Sequence, residues 1–437
     1  MNNIGKYTII KELGAGATSK VFLAIDTFNN QQVALKLIEL NFSRDAIISK
    51  AHKKLLQVEA SLVGKLQHPH IVQMLDAVLN DDLSYIVMEY VNGGSLEQYA
   101  AADRLLPFTT VAELMFKCCK ALEYAQAQGV IHRDIKPANI LLQGESNIKI
   151  SDLGAAMIED SDSTQVIGVG SPYYMSPEQI TGEMLTHQTD IYSLGVTMYQ
   201  LLTGKLPFQA TSRQGLLFQI VQGEQPPPKA HRPDIPEDLN AIVQRATRKD
   251  LSQRYQTWGE FAHDLASFLN LNDKGRAVIF DAEKFAALSA TPFFEKFSEI
   301  ELWEVLHFSK WHKVSNGTSI LKEGDMGNAF FILANGIVKV LKNGKIVSFL
   351  HKGDCFGEIK RLPDSVYLRT TAVEAGTDCV LFEIDLDILI TASLGCRYQF
   401  DEAFLHILLK RLDSANTRIS KLLGQEENFG TPVKPTD

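Results

Sequence analysis

The stretch Ile131-His132-Arg133-Asp134-Ile135-Lys136-Pro137-Ala138-Asn139 decides the fold of this chain. It brings a candidate base, two cations and an amide into one short loop. A second stretch, Ile150-Ser151-Asp152-Leu153-Gly154, follows a predicted strand hairpin directly downstream. A small-residue loop and a lysine-bearing strand precede both stretches, and chance does not produce polar groups in this order.

Upstream of this loop the sequence predicts a small β-sheet with one helix. β-Branched and aromatic residues enrich there, and the pattern breaks at Asn92-Gly93-Gly94. After that break, apolar residues such as Leu114, Cys118, Leu122 and Ala125 recur at helical spacing, and helices are expected to dominate to about Leu269, which predicts a mostly α lobe. The predicted strands are Tyr7–Ile10, Val21–Ile25, Val33–Ile38, Ile71–Val78 and Tyr85–Glu89, and the predicted helix covers roughly 45–66.

Small residues between the first two predicted strands suit a phosphate group. In Gly14-Ala15-Gly16-Ala17-Thr18-Ser19-Lys20-Val21, backbone N–H groups can approach a polyphosphate closely, although a plain hairpin turn has the same composition. Lys36 ends an apolar strand and could bind phosphates or simply point to solvent. Glu59, on the predicted helix, could pair with Lys36 and fix its direction, or lie on a solvated face.

In this order the motifs resemble a protein kinase of the eukaryotic-like Ser/Thr type, over about 260 residues. The resemblance implies an α+β fold with two kinase lobes, and ATP and Mg²⁺ as cofactors. By position it assigns Lys36 to the phosphates with Glu59 as its partner, Asp134 as the catalytic base, Lys136 as the lysine that marks Ser/Thr specificity, and Asn139 and Asp152 as magnesium ligands.

The same resemblance implies an ATP site along the sheet and the connection after it. Met88 would guard the adenine pocket, and the adenine would bond to the backbone at Glu89 and Val91. The implied ATP-binding residues are Leu13, Gly14, Ala15, Gly16, Ala17, Thr18, Ser19, Lys20, Val21, Ala34, Lys36, Met88, Glu89 and Val91.

Three positions depart mildly from the family pattern. Ser19 replaces the third glycine of the phosphate loop, Leu153 replaces a phenylalanine after the metal-binding aspartate, and Ser176 replaces an alanine before Pro-Glu. None of these changes removes a charged group, which weighs against a pseudokinase. Glu178 and Arg254 resemble the family's buried ion pair, a structural feature.

Arg133 precedes the catalytic aspartate, which in this family often implies that a phosphate on the activation segment pairs with it. The candidate phosphorylation sites are Ser161, Ser163 and Thr164. Their acidic surroundings are equally typical of plain solvated turns.

After the predicted helices the sequence pattern changes from helical to β. Residues 320–382 contain short β-rich runs separated by turn signals. Asn335-Gly336 and Asn343-Gly344 favour type I′ hairpins, and together the turns predict a small β-barrel or roll. Gly353-Asp354-Cys355-Phe356-Gly357-Glu358 and Arg369-Thr370-Thr371-Ala372-Val373 occur within it. A carboxylate can accept from a ribose hydroxyl, and a guanidinium beside backbone amides suits a phosphate.

The segment from about 291 to 415 therefore resembles a cyclic-nucleotide-binding domain. The resemblance implies that Gly357, Glu358, Arg369 and Thr370 bind cGMP or cAMP, with Thr370 favouring cGMP slightly. The stretch between Glu358 and Arg369 is about two residues longer than the family's phosphate cassette, and Pro363 could break its helix. The alternative is a degenerate barrel that binds no nucleotide and serves as a docking module.

The last predicted helix runs from Glu402 to Leu423 and ends at Gly424. It carries a seam of apolar residues spaced by three and four, which either packs against the barrel or kinase or joins two chains in a homodimer. The seam residues are Leu405, Leu408, Leu412, Ala415, Ile419 and Leu422.

Composition narrows the function classes. Of 437 residues, 45% are hydrophobic and 22% charged, and Lys plus Arg number 43 against 52 Asp plus Glu, which disfavours nucleic-acid binding. No apolar run is long enough for a membrane span, and no secretory signal is recognisable. The five cysteines are expected to be reduced, and the expected compartment is the cytoplasm.

The sequence thus predicts a kinase N-lobe at 1–91, a C-lobe at 92–270, a linker at 271–290, a cyclic-nucleotide-binding-like domain at 291–415, and a helix end with a disordered tail at 416–437. The predicted function is Ser/Thr phosphorylation of protein substrates, regulated by a cyclic nucleotide. The alternative is an ATP-binding signalling scaffold with weak or no phosphotransfer, whose barrel serves docking or dimerisation.

Overall fold

The computed structural model describes residues 3–15, 19–38, 57–80, 84–144, 147–153, 156–158, 171–271, 280–357 and 368–426. The chain divides into two compact units, Met1–Ala282 and Glu283–Asp437. The first unit contains a β-rich lobe followed by a helical lobe, and the second is mostly β, so the predicted α+β class is confirmed.

A six-stranded antiparallel sheet in the order β1-β2-β3-β4-β6-β5 forms the first lobe. Alternate residues of its strands, such as Val33 and Leu35 of β4, are buried against Tyr7 and Tyr85. This alternation is why the sequence pattern identified the strands. The strands are β1 Asn3–Ile4, β2 Tyr7–Ala15, β3 Ser19–Asp26, β4 Gln32–Ile38, β5 Met74–Val78 and β6 Ser84–Glu89.

The predicted helix of this lobe lies partly outside the described residues. Residues 57–61 are helical, and residues 39–56 are not described. The predicted strand from Ile71 is shorter in the structure, because β5 begins at Met74; Ile71 instead forms an isolated bridge with Ile150.

The second lobe is built around helix α1, Phe108–Ala127, which packs against the helices Trp258–Leu271 and Gln188–Thr203 and the strand Asn147–Ile150. Helix α3 approaches α5 closely at Gly195, where a Cβ atom would lie 2.8 Å from the Cβ of Ala246. The helices are α1 Phe108–Ala127, α2 Pro177–Thr181, α3 Gln188–Thr203, α4 Arg213–Gln222, α5 Glu237–Ala246 and α6 Trp258–Leu271.

Two small antiparallel pairs lie between α1 and α2 and carry the loops that the sequence analysis singled out. One pair joins β7 to β10, and the other joins β8 to β9. Their strands are β7 Val130–Ile131, β8 Ile140–Gln143, β9 Asn147–Ile150 and β10 Met157–Ile158.

The boundary between the two units falls within helix α7, Asp281–Ser289. The polar segment predicted as the boundary, 270–275, lies mainly outside the described residues, because α6 runs to Leu271 and residues 272–279 are not described.

The second unit has two four-stranded antiparallel sheets, ordered β11-β18-β13-β16 and β12-β17-β14-β15. Phe331, Leu333, Val338 and Leu381 are buried between them. The strands are β11 Lys310–Val314, β12 Ser319–Leu321, β13 Ala329–Asn335, β14 Val338–Lys342, β15 Lys345–Leu350, β16 Cys355–Phe356, β17 Ala372–Ala375 and β18 Cys379–Asp385.

Only one of the two Asn-Gly pairs forms the predicted hairpin turn. Asn343 (φ 48°) and Gly344 (φ 74°) both take positive φ between β14 and β15, as a type I′ turn requires. At the other pair only Gly336 (φ 96°) is left-handed, so the type I′ prediction was wrong there. The Asn335 side chain instead accepts the Gly336 N–H at 2.9 Å.

The helices of the second unit are α7, α8 Glu299–Phe308, α9 Leu386–Leu389 and α10 Leu394–Glu426. The predicted start of α10 at Glu402 and its end at Gly424 were both wrong. The Ser393 side chain accepts the Cys396 N–H at 3.2 Å and starts the helix earlier, and Gly424 is helical with no positive φ. Residues 427–437, predicted as a tail, lie outside the described residues. None of the helices over the described ranges is long and apolar enough to span a membrane.

Candidate functional site

Lys36 joins two carboxylates that are far apart in the sequence. Its Nζ atom lies 2.8 Å from Glu59 Oε1 and 2.8 Å from Asp152 Oδ1. Strand β4 supplies the lysine, the helical stretch 57–61 supplies Glu59, and Asp152 follows β9. The structure therefore brings together three of the residues that the sequence nominated for phosphate and metal binding.

Burial and charge act in opposite directions on this cluster. Burial alone would lower the pKa of Lys36, but the carboxylates of Glu59 and Asp152 outweigh it and raise that pKa. Burial raises the pKa of Glu59, whereas at Asp152 the Lys36 ammonium overcomes burial and lowers the pKa. Of the two carboxylates, Asp152 is therefore the one whose ionised form this cluster favours.

Asp134 forms a hydrogen-bonded network with Lys136 and with Ser171, a residue further along the chain. Its Oδ1 accepts the N–H of Ser171 at 2.7 Å, and its Oδ2 accepts from Lys136 Nζ at 2.7 Å. Lys136 Nζ also donates to Ser171 Oγ at 2.7 Å. The Asp134 carboxylate, the Lys136 ammonium and the Ser171 hydroxyl therefore lie together in one hydrogen-bonded cluster. The Asp134 side chain is buried, and these contacts fix its orientation.

Asn139 is oriented by the same aspartate. Its Nδ2 donates to the Asp134 backbone oxygen at 2.8 Å and to Asp134 Oδ2 at 3.1 Å. The amide nitrogen is therefore used inside the loop, and the amide oxygen is the atom that a metal would meet. The backbone oxygen of Asn139 accepts the Ser151 N–H at 2.8 Å, which ties this loop to the residue before Asp152.

The oxygen donors of Asn139 and Asp152 fit a magnesium ion. Mg²⁺ prefers oxygen ligands, and at nucleotide sites it is typically held by one or two protein groups together with phosphates and water. Across the described residues no group of three or more His, Cys, Asp and Glu side chains could hold a metal ion.

Asp190, in the first turn of α3, holds the loop that carries Asp134. Asp190 is buried, and its carboxylate accepts the N–H of His132 at 2.7 Å and that of Arg133 at 2.8 Å. Arg133 takes φ 65°, a left-handed conformation that costs energy for a residue with a Cβ. The two hydrogen bonds compensate for that strain next to Asp134.

The predicted phosphate-binding loop is the end of the β2–β3 hairpin. Gly14 pairs with Val21 and Ala15 with Lys20, and Leu13 and Ser19 lie on the same two strands. Gly16, Ala17 and Thr18 lie outside the described residues.

The predicted adenine site lies where β4 meets β6. Ala34 pairs directly with Met88, and the N–H of Glu89 donates to Gln73 O at 3.0 Å, so an adenine could bond at Glu89 only through the carbonyl oxygen. Val91 follows β6 and is half-buried. A small cavity of about 10 Å³, roughly the space of one water, lies behind Met88 and also borders Glu59, Asp152 and five apolar or small residues.

The ion pair of Glu178 and Arg254 is confirmed. Arg254 Nη1 lies 2.7 Å from Glu178 Oε1, and both side chains are almost fully buried. Arg254 also lies over the ring of Tyr192, 5.1 Å from its centroid. The candidate phosphorylation sites Ser161, Ser163 and Thr164 lie outside the described residues.

In the second unit the structure brings Gly357 and Arg369 together. Arg369 Nη1 donates to Gly357 O at 2.5 Å, and Nη2 donates to Ala329 O at 2.6 Å. Gly357 takes φ 83°, and a Cβ there would lie 2.7 Å from the guanidinium. Thr370 is exposed, and its carbonyl oxygen accepts from Lys342 at 2.7 Å. Glu358 lies outside the described residues.

Sequence reasoning missed three residues with contacts to the site. Ser171 binds both Asp134 and Lys136, and Asp190 anchors the loop that carries Asp134; the sequence motifs assigned no role to either. Lys149, on β9, donates to Glu89 Oε1 at 2.7 Å and connects the strand before Asp152 to the adenine connection. A lone strand lysine gives no sequence signal for such a contact.

Comparisons with known proteins agree with this geometry. Residues 7–265 match the family model described as protein kinase domain, and residues 311–392 match the cyclic nucleotide-binding domain. The chain is 34% identical over 289 residues to serine/threonine-protein kinase PrkC of Bacillus subtilis, covering 65% of this chain and 44% of the relative.

Two mycobacterial relatives give a similar result. Identity to serine/threonine-protein kinase PknB of Mycolicibacterium smegmatis is 34%, covering 66% of this chain and 47% of the relative. Identity to PknB of Mycobacterium leprae is 36%, covering 60% and 42%. The chain thus spans less than half the length of these curated relatives.

Proposed function

Because the chain belongs to the protein kinase domain family, we propose that it transfers the γ-phosphoryl group of ATP to Ser or Thr hydroxyls of proteins. The contact of Lys36 with both Glu59 and Asp152, at 2.8 Å each, carries this proposal. Phosphoryl transfer depends mainly on positioning and on charge stabilisation. The pair of contacts supports the proposal because it would hold a phosphate-binding lysine next to a metal-binding carboxylate.

The acceptor hydroxyl would bind next to Asp134. Each carboxylate oxygen has more than one lone pair, so Asp134 can accept a substrate hydroxyl while keeping Ser171 and Lys136. As the hydroxyl oxygen bonds to the γ-phosphorus, its proton passes to Asp134, and the bond to the β-phosphate oxygen breaks with its electrons leaving on ADP. Lys136, held between Asp134 and Ser171, is within reach of the transferred group.

Asn139 and Asp152 would hold Mg²⁺ through their side-chain oxygens. When bound, the ion neutralises charge on the phosphates. The protein's own contribution is orientation: Asn139 is fixed by Asp134, and Asp152 is fixed by Lys36. These contacts hold both side chains before any nucleotide arrives.

Radiolabel transfer from ATP tests the proposal. The full chain is incubated with Mg-ATP and a generic basic protein, with the Asp134→Asn variant alongside. We expect incorporation to fall by about 10²- to 10⁴-fold in that variant, as for loss of a general base. Asp103→Asn, which changes an exposed aspartate of the same lobe, serves as the matched control and should keep full activity.

The alternative is a scaffold that binds ATP and transfers little or no phosphate. Equal labelling by the native chain and Asp134→Asn would contradict the enzyme proposal and favour the scaffold. ATP binding without labelling by either protein would have the same meaning. Omission of Mg²⁺ separates true transfer from nonspecific retention of label.

We further propose that the second unit binds cGMP or cAMP and thereby alters kinase activity. The match of residues 311–392 and the proximity of Gly357 to Arg369 support this. A nucleotide phosphate would accept from the Arg369 guanidinium in place of the carbonyl oxygens of Gly357 and Ala329. That exchange would be favourable because a charged acceptor binds a guanidinium more strongly than a neutral one.

Calorimetric titration with each nucleotide, beside kinase assays, tests this second proposal. Arg369→Lys keeps the positive charge but not the two-pronged geometry, and we expect at least a tenfold loss of affinity with unchanged basal activity. If the native chain binds neither nucleotide, the barrel is a docking module, the alternative raised from the sequence. Binding without any change in rate would refute regulation while leaving the binding site intact.

The apolar seam of α10 supports a third proposal, a homodimer. Leu405, Leu408, Leu412 and Ile419 are each more than half exposed, so they do not pack against the β-sheets of their own unit. Their spacing is that of a coiled-coil seam. Light scattering of the native chain and of Leu408→Glu tests it: a monomeric native chain would exclude the dimer.

All five cysteines are buried free thiols, which supports a reducing cytoplasmic compartment.

A further inference from the structure

Helix α7 begins against helix α1 of the first unit. The N–H groups of Asp281 and Ala282 donate to the Glu113 carboxylate, at 3.0 and 3.5 Å. The first N–H groups of a helix have no partners within the helix, and they favour a negative charge. Glu113, a residue of α1, therefore acts as the cap for α7.

Lys117 lies one turn along α1 and is fully buried. Its Nζ atom is 2.8 Å from Asp281 Oδ2, 3.6 Å from Glu113 Oε1 and 3.0 Å from Asn147 Oδ1. A buried ammonium is costly unless charged and hydrogen-bonding partners surround it. The nearer of its two carboxylates comes from α7, the helix that leads out of the first unit.

Asn147 connects this cluster to the candidate active site. It is the first residue of β9, whose last residue, Ile150, is followed by Ser151 and then Asp152. Strand β9 is short and is held along its length by β8. The position of Asn147 therefore helps to fix the strand, and with it the position of Asp152 next to Lys36.

We infer that Lys117 is a positioning residue for the metal ligand Asp152, and that Asp281 completes its function. The catalytic unit then includes the first turn of α7, although the matching kinase family model ends at residue 265. Loss of Asp281 would leave Lys117 without its closest carboxylate. The Lys117 ammonium would then shift, and its hydrogen bond to Asn147 would shift with it. This inference rests on the proposed phosphotransfer activity.

Substitutions in the full chain test it through the magnesium requirement. We expect Asp281→Asn and Lys117→Met to raise the Mg²⁺ concentration for half-maximal rate by about 10- to 100-fold, the usual cost of losing a residue that orients a metal ligand. Asp281→Glu, which keeps the charge, should recover most of the native behaviour. Asp103→Asn and Lys229→Met, both at exposed ion pairs, are the matched controls.

Asn147→Ala keeps the test decisive if Lys117→Met does not fold. It leaves the Lys117–Asp281 pair intact and removes only the link to β9, so it should raise the Mg²⁺ requirement with little change in melting temperature. An unchanged Mg²⁺ requirement in Asn147→Ala, or in a folded Asp281→Asn with a lower melting temperature, would mean a purely structural anchor and overturn the inference. An inactive native chain would refute the proposed function instead.

Discussion

Replacing Asp190 by Asn should damage both stability and catalysis, because this buried carboxylate holds the catalytic loop. It accepts two short hydrogen bonds, from the N–H groups of His132 and Arg133. An amide of the same size keeps one acceptor oxygen and turns an NH₂ group toward the other N–H. One buried donor is then left facing another donor.

The magnitude follows from these two bonds. A hydrogen bond to a charged group contributes about 1.5–3 kcal/mol, and a buried unsatisfied donor costs about 1–3 kcal/mol. Keeping one neutral bond offsets part of the loss, so we expect the free energy of unfolding to fall by about 3 kcal/mol. At about 2 °C or more per kcal/mol for a domain of this size, the melting temperature should drop by roughly 6 °C.

Catalysis should fall for a separate reason. Arg133 holds φ 65° only while its N–H is bound, and relaxation there would move Asp134. A misplacement of about 1 Å can cost roughly 10²-fold in rate. The assay is radiolabel transfer at a temperature well below both melting points, with melting followed by circular dichroism and Asp103→Asn as control. Full kcat at a lowered melting temperature would refute the loop argument, and an unchanged melting temperature would refute the hydrogen-bond estimate.

Three further outcomes are expected. Gly357→Ala, with a positive φ and a Cβ 2.7 Å from Arg369, should weaken cyclic-nucleotide binding at least tenfold in calorimetry. Arg254→Met should lower the free energy of unfolding in urea by about 3–5 kcal/mol, since it leaves a buried carboxylate unpaired. Because Lys36 lowers the pKa of Asp152, the stability lost in Asp152→Asn should be constant from pH 6 to 8 and shrink as the pH falls below about 4, measured by melting.

How far the sequence predicts this structure depends on whether an interaction is local. The Asn343-Gly344 turn was predicted because both φ angles depend on those two residues alone. At Asn335-Gly336 the same dipeptide failed, because the Thr377 side chain and the Ile337 backbone organise that loop from a distance. Helix α10 continues past Gly424. The tendency of a single glycine to end a helix is too weak to stop one of this length.

The candidate site shows the same division. Lys36, Glu59 and Asp152 were nominated by motif, although no spacing rule places residues 116 positions apart within 2.8 Å. Lys117 was missed because Glu113, Lys117, Lys120 and Tyr124 recur at spacings of three and four along α1, a polar stripe that is typical of a solvated helix face. Its partner Asp281 lies on another helix far along the chain, so no local pattern could indicate the contact.

The two candidate nucleotide sites differ in how each holds its cation, and this difference has a functional consequence. Lys36 is bound by carboxylates, one of which is itself a proposed metal ligand, so a nucleotide adds partners to an existing arrangement. Arg369 donates to the two neutral carbonyl oxygens of Gly357 and Ala329. If a nucleotide phosphate takes over those donors, as proposed, the guanidinium has two arrangements, and an effector that binds one of them more tightly shifts the population toward it. Regulation through the second unit would then act at Arg369, which is why the Arg369→Lys variant tests it.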